Sequence, residues 1–244
     1  VKPPVGDAGG LGPAPDVVRA LFASGRLPLL QRYAELLATD GVVRGLIGPR
    51  EVPRLWDRHL VNCGLLALAV PEGATVADIG SGAGLPGLVL ALARPDAQVT
   101  LVEPLLRRTT FLEEVVAELG LVNVEVRRDR ADALHGTATY DVVTARAVAG
   151  LEKLAGWCLP LVAPTGALVA MKGDSAEQEI AEAWPVLKKR GCARPVVEDL
   201  HSPALEGLDA GAATMRVVRV TWADPSRVSL PTSGGPARRR RRPH

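Results

Sequence analysis

The stretch Thr75-Val-Ala-Asp78-Ile-Gly80-Ser-Gly82-Ala-Gly84-Leu-Pro-Gly87 decides how the chain folds. An apolar run ends at Asp78-Ile79, three glycines follow at alternate positions, and Leu85, Pro86 and Gly87 open a helix. Glycines here let the backbone turn tightly and let a ligand approach main-chain N–H groups. Gly82-x-Gly84-x-x-Gly87 satisfies the dinucleotide fingerprint, but a bare strand-to-helix turn also needs several glycines. Glu103 ends the next apolar run, 19 residues after Gly84. An acid at that place can accept from both hydroxyls of a ribose.

Two cofactor classes fit such a loop. A nicotinamide dinucleotide carries a pyrophosphate, which wants a helix N-terminus and few nearby anions. S-adenosylmethionine has no phosphate but has an amino-acid end and a sulfonium. Asp78 repels the first and can help hold the ammonium of the second, so the pattern favours S-adenosylmethionine.

Outward from this loop, apolar strand-like runs (Thr75–Ile79, Gln98–Val102, Val124–Arg127, Tyr140–Thr144, Gly166–Met171) alternate with helical stretches (Leu85–Ala93, Leu105–Leu119, Leu151–Val162, Ser175–Arg190). Such alternation predicts βαβ units and a parallel sheet covered on both faces. Two last runs, Ala193–Leu200 and Met215–Trp222, have no helix between them, so the final strand is free to enter antiparallel. The expected fold is α/β, Rossmann-like, with seven mostly parallel strands. Residues 16–72 read as a helical segment packed on this main domain of residues 73–222. Residues 1–15 and 223–244 are rich in Pro and Gly and read as disordered, the latter as a basic tail.

Composition narrows the class further. Hydrophobic residues are 47% and charged residues 23% of 244, which excludes a wholly disordered or fibrous chain. No apolar run approaches the roughly 18 residues of a membrane span. Three scattered cysteines without CxxC spacing and a start lacking an apolar leader point to a cytoplasmic protein with no disulfide framework or metal site. The net charge is +2, yet residues 226–244 hold six Arg and no acid, leaving −4 on the remainder. A nucleic-acid footprint on the body is therefore a local cluster rather than a global field.

With its continuation, Asp78–Gly87 resembles the signature of the bacterial RsmG family, also called glucose-inhibited division protein B. Arg58-His59, Thr144-Ala-Arg146-Ala147 and Met171-Lys172-Gly173 match at fitting spacing, and the resemblance spans about residues 16–222. It implies the class I S-adenosylmethionine-dependent methyltransferase fold. It also implies methyl transfer to guanine N7 of 16S ribosomal RNA, at a decoding-region hairpin. The implied partner is that RNA or the small ribosomal subunit, with no DNA and no membrane, and a monomer is expected. By resemblance Gly80 and Leu85 line the cofactor pocket with Gly82 and Gly84, Ala131 and Asp132 sit beside the adenine, and Arg146 contacts the cofactor. A nicotinamide-dependent oxidoreductase and a non-catalytic RNA-binding or ribosome-assembly module remain the alternatives.

The residues themselves leave some roles open. Asp132 can cap a helix or accept from the adenine amino group. Arg146 ends a strand where substrates of such sheets lie, and its fork of donors can order the acceptor. His59 is either a neutral core histidine or a stacking partner for a base. Arg50, Arg54 and Arg58 recur every fourth residue, which on a helix gives one solvated face or a phosphate ladder. Lys172 is expected to contact RNA phosphate or the acceptor, so Arg54, Arg58, His59 and Lys172 form the expected RNA surface. Trp157 and Trp184 read as core. No Asn/Asp-Pro-Pro-aromatic segment ends the fourth strand, and no cysteine follows a strand end. Guanine N7 needs neither, because its lone pair is already nucleophilic, so no general base is expected and Arg146, Lys172 and His59 position the acceptor.

Arg238 to Arg242 lie beyond the matching region. Deleting residues 226–244 is expected to leave turnover at saturating RNA intact. Capture should lose salt dependence by about 0.7 in log–log slope per phosphate contact removed. Salt titrations of full-length and truncated protein check this, and equal slopes would remove the tail from RNA capture.

Overall fold

Thr75–Ile79 forms β1, buried from Val76 to Ile79, as a central parallel strand covered on both faces must be. The computed structural model describes residues 11–146, 149–205 and 214–228. Around β1 run β2 (Gln98–Val102), β3 (Val124–Arg127), β4 (Tyr140–Arg146), β5 (Val162–Met171), β6 (Val196–His201) and β7 (Thr214–Thr221). Their order is β3-β2-β1-β4-β5-β7-β6. All pairs from β3 to β5 are parallel, and β7 runs antiparallel between β5 and β6. The order reverses direction between β1 and β4, so the loops after these two strands open a crevice at their carboxyl ends.

Two cores flank the sheet. One face carries α1 (Asp16–Leu21), α2 (Leu27–Leu36), α3 (Val61–Leu65), α4 (Gly87–Ala93) and α5 (Leu106–Leu119), which share a single core containing Tyr33, Leu60, Leu88, Leu101 and Phe111. The other face carries α6 (Leu151–Cys158) and α7 (Ala176–Lys189). Each helix follows its sequence. In α7 the buried residues Ala176, Ile180, Ala183 and Leu187 keep helical spacing. Helix α5 ends at Gly120, whose φ of 62° is the left-handed stop that glycine adopts freely. Helix α4, Gly-Leu-Val-Leu-Ala-Leu-Ala, is apolar all round and buried from Gly87 to Leu92.

The structure departs from the sequence-based expectation in several places. Residues 11–15, expected to be disordered, lie against the core: the Trp56 indole N–H donates to the Gly12 carbonyl at 3.0 Å, and the Ala14 N–H donates to Gln31 at 3.0 Å. Residues 223–228 continue as a short turn in which Asp224 accepts from the Ser226 N–H. Pro49–Arg54 is a 3-10 helix and Leu55–Leu60 a wider π turn, so Arg50, Arg54 and Arg58 do not stack at α-helical spacing. The physical cause is Pro53, which lacks the N–H that an α-helical ladder needs. The rest of the expected termini, residues 1–10 and the Arg238–Arg242 run included, lies outside the described residues.

Gly87 shows how tightly α4 meets the sheet. A Cβ there would collide with the Leu101 side chain and come within 2.7 Å of Asp78 Oδ2. Gly87→Ala is therefore expected to destabilise the protein by at least about 1–3 kcal/mol, as overpacking does. Urea unfolding checks it; a wild-type midpoint would contradict the closeness of α4 to β1 and β2.

Candidate active site

The β1–α4 loop is held from three sides. The Gly80 and Ser81 N–H groups donate to the Val102 carbonyl at 2.8 and 3.2 Å, tying the loop to the end of β2. Asp78 Oδ2 accepts from the Gly87 N–H at 2.9 Å, pinning the start of α4. The Tyr33 hydroxyl, from α2, donates to the Ala83 carbonyl at 2.8 Å and is fully buried. Sequence reading missed Tyr33, which looks like any apolar-stripe residue of an amphipathic helix.

Asp78 is fully buried, and its Oδ1 has no hydrogen-bond partner among the described residues. Burial pushes this carboxyl up to about 7, against the lowering pull of the Gly87 N–H and of Arg146. Gly80, Gly82 and Gly84 all have positive φ. At Gly82 a Cβ would meet nothing closer than the Gly80 carbonyl at 3.8 Å, so open space lies over this backbone.

A cavity of about 320 Å³ opens beside the loop, lined by Gly80, Glu103, Leu105, Ala131, Asp132 and Trp157 among others. This brings four expected cofactor residues together: Gly80, Glu103, Ala131 and Asp132. Glu103 is 1% exposed. It accepts from the Gly82 N–H at 3.1 Å, the Leu105 N–H at 3.1 Å and the Arg108 guanidinium at 3.2 Å. An ionised carboxylate has about four lone-pair sites, so one stays open and Arg108, on the rim, can yield another. Asp132 is exposed and paired with Arg130 at 3.2 Å. Trp157, expected in the core, packs half-buried against it and also walls this cavity, with the Lys153 ammonium 5.1 Å from its ring centroid. Leu85 is buried near the loop but is not part of the lining. The cavity fits S-adenosylmethionine, with apolar walls and the Glu103 carboxylate at the end of β2, while Asp78 with its unpartnered Oδ1 lies buried behind the glycine loop and lines neither this cavity nor the one described next.

A second cavity, about 640 Å³, lies at the carboxyl ends of β4 and β5 and is lined by Arg58, His59, Arg146, Met171 and Lys172 among others. Arg146 Nη1 lies 2.7 Å from His59 Nδ1, and His59 Nε2 lies 2.8 Å from Glu51 Oε2. Burial holds the His59 imidazole below its usual value, with the Arg146 charge acting the same way and the Glu51 hydrogen bond opposing. Lys172 is turned inward: its ammonium donates to the Ala149 carbonyl at 2.9 Å and to Glu179 at 2.6 Å. Glu179 also accepts from the Leu151 N–H at 2.9 Å. Lys172 thus organises the loop after β4 rather than facing solvent as an RNA contact would. Arg58 is exposed, 3.5 Å from Glu51, and Arg54 is exposed and lines neither cavity. Among the described residues no cluster of His, Cys, Asp or Glu could hold a metal ion, and no helix is long and apolar enough to cross a membrane.

Fold and site together define a class I S-adenosylmethionine-dependent methyltransferase. Among solved structures the chain is similar to an S-adenosylmethionine-dependent O-methyltransferase from Thermotoga maritima (TM-score 0.50, 16% identity, 66% of this chain and 64% of that one). It is also similar to a B. subtilis tRNA methyltransferase (TM-score 0.50, 17% identity, 71% of each chain). The family model for rRNA small subunit methyltransferase G, GidB, matches residues 26–205. Relatives of that description include one from Nocardioides sp., 64% identical over 92% of this chain and 90% of its own length. Another, from Thermobifida fusca, is 50% identical over 93% and 92%. The chain belongs to this family, the rRNA small subunit methyltransferases G, and is an S-adenosylmethionine-dependent rRNA methyltransferase. The oxidoreductase alternative falls with that membership.

The buried Asp78 generates a pH prediction. Its folded value of about 7 stands above the ordinary 3.8, so the native state holds the proton more tightly than the unfolded chain. This contribution is fully present below about pH 4 and is lost as pH rises through about 7. Asp78→Asn removes the titration. Its stability relative to wild type is expected to improve across that window by up to roughly 4 kcal/mol. Urea unfolding of cofactor-free protein at several pH values checks this; a pH-independent difference would refute it.

Proposed function

We propose that the chain methylates N7 of a guanine in 16S ribosomal RNA, as free RNA or within the small subunit, acting as a cytoplasmic monomer. The observation that supports this chemistry is the state of the second cavity's groups. Both His59 nitrogens are engaged, Glu179 is paired with Lys172, and Glu51 is occupied by His59. Among the described residues the cavity offers no free base. The thiols of Cys63 and Cys158 are buried and pushed up to about 12, and that of Cys192 to about 11, so no thiolate is at hand. An acceptor whose in-plane lone pair is nucleophilic without deprotonation suits such a site.

S-adenosylmethionine supplies a methyl group on a sulfonium, already activated for in-line transfer. In this reading Glu103 accepts from the ribose hydroxyls, and Ala131 and Asp132 bracket the adenine against Trp157. The backbone at Gly80, Gly82 and Gly84 lies along the ligand with Leu85 behind it, and Asp78 Oδ1 faces the ammonium end. Arg146 orders the cofactor's amino-acid end and the incoming base from the end of β4. Arg58 meets RNA phosphate at the mouth and the exposed Arg54 meets it on the surface beyond, while His59 and Lys172 shape the acceptor side. Catalysis then rests on positioning and desolvation.

Tritiated methyl groups should map to one guanine N7 when the protein acts on small-subunit RNA from a strain lacking it. Arg146→Ala should lower kcat/KM by about a hundredfold, as loss of a charge-assisted contact at the reacting centre does. Label on a base amine or a ring carbon would overturn the N7 assignment.

A further inference from the structure

The helical segment ahead of the main domain reaches the end of β4 through one hydrogen-bonded chain. Arg146 Nη1 and His59 Nδ1 are 2.7 Å apart, and His59 Nε2 and Glu51 Oε2 are 2.8 Å apart. Guanidinium nitrogens only donate, so Nδ1 must be the bare, accepting nitrogen of the ring. Nε2 then carries the proton and donates it to the Glu51 carboxylate. The chain therefore has one direction, fixed at one end by the Arg146 donor and at the other by the Glu51 acceptor. The His59 side chain is 11% exposed and Glu51's is 32%, so the imidazole is shielded while Glu51 stays near the surface. Burial and the Arg146 charge both favour the neutral ring. Arg58 stands 3.5 Å from the other Glu51 oxygen, which leaves Oε2 to His59.

The geometry points to Glu51 as a positioning residue that fixes the His59 tautomer, and through it the Arg146 guanidinium, at the methyl-transfer site. Without the Glu51 acceptor the ring is free to carry its proton on Nδ1. Two donors then face each other at the Arg146 contact, and the guanidinium leaves its place. Lys172 cannot substitute, because its ammonium is committed to Ala149 and Glu179. The inference rests on the role given to Arg146 under the proposed function. It adds a residue outside the recognised motifs, contributed by the 3-10 turn Pro49–Arg54.

Four variants and one spectroscopic readout test it on the full chain. Glu51→Ala should lower kcat/KM for RNA methylation by at least about tenfold, the scale of losing a charge-assisted hydrogen bond, with the thermal midpoint nearly unchanged. Glu51→Gln keeps an oxygen that accepts from Nε2–H and should stay within about threefold of wild type. Ring nitrogen NMR, with His59 assigned by a His59→Gln comparison, should show a bare Nδ1 and a protonated Nε2 in wild type and Glu51→Gln. A mixture of tautomers is expected in Glu51→Ala. Wild-type kcat/KM in Glu51→Ala, an equal loss in Glu51→Gln, or an unchanged His59 tautomer in Glu51→Ala would each overturn the proposal. Arg146→Ala separates the two levels. If it leaves methylation intact, the role of Arg146 fails, while the tautomer measurement still decides whether Glu51 sets the ring.

Discussion

A single buried contact, Asp78 Oδ2 accepting the Gly87 N–H, lets the sheet and the first helix after it meet without a side chain between them. It is an expensive contact. A carboxylate with zero exposure and one unpartnered oxygen is far from water, and burial raises it to about 7 accordingly. What it secures is geometry. With Gly87 drawn onto the end of β1, α4 lies flat on the sheet, and the three positive-φ glycines bow out over the crevice. The bowed loop places the Gly82 N–H on Glu103 and the Gly80 N–H on the Val102 carbonyl, so the ends of β1 and β2 are joined along one cavity.

The helical segment ahead of β1 is part of the site rather than an appendage. It touches the crevice at the strand ends at two chemically different points. Tyr33 donates to the outside of the glycine loop through Ala83, where a Cβ on Gly84 would lie 2.9 Å from the hydroxyl. His59 receives the guanidinium that ends β4. One contact braces the glycine loop and the other the end of β4. Both originate in a segment whose apolar residues share a core with α4 and α5. Displacing that segment thus disturbs both sides together.

How much of this was legible in the sequence depends on whether a role is local. The strand ends of β1 and β2 were readable to the residue because buried parallel strands are short apolar runs bounded by turns, and those of β3, a half-exposed edge strand, matched as well. The glycine loop and Glu103 were readable because their chemistry depends on spacing along one βαβ unit. Tyr33, Trp157 and Glu51 were not, since each acts across the fold: Tyr33 on Ala83, Trp157 on a slot formed by the turns after β1, β2 and β3, and Glu51 on a ring eight residues away. Lys172 carried the opposite error. Its place at a strand end suggested an RNA contact, but a buried ammonium needs partners, and Ala149 and Glu179 supply them. The Arg50, Arg54, Arg58 spacing misled because it assumed α-helical turns where Pro53 imposes others.

The two cavities divide the work by kind of group. The cavity beside the glycine loop joins apolar walls to the Glu103 carboxylate, with the Asp78 carboxyl buried behind the loop. The cavity at the ends of β4 and β5 instead presents Arg146 and Arg58, with Lys172 neutralised by Glu179. Arg146 stands between the two, close enough to pull the Asp78 carboxyl downward while its own donors face His59. His59 receives the Arg146 guanidinium at 2.7 Å through a ring that burial and the Arg146 charge keep neutral, so the guanidinium at the end of β4 is ordered without a second charged group beside it.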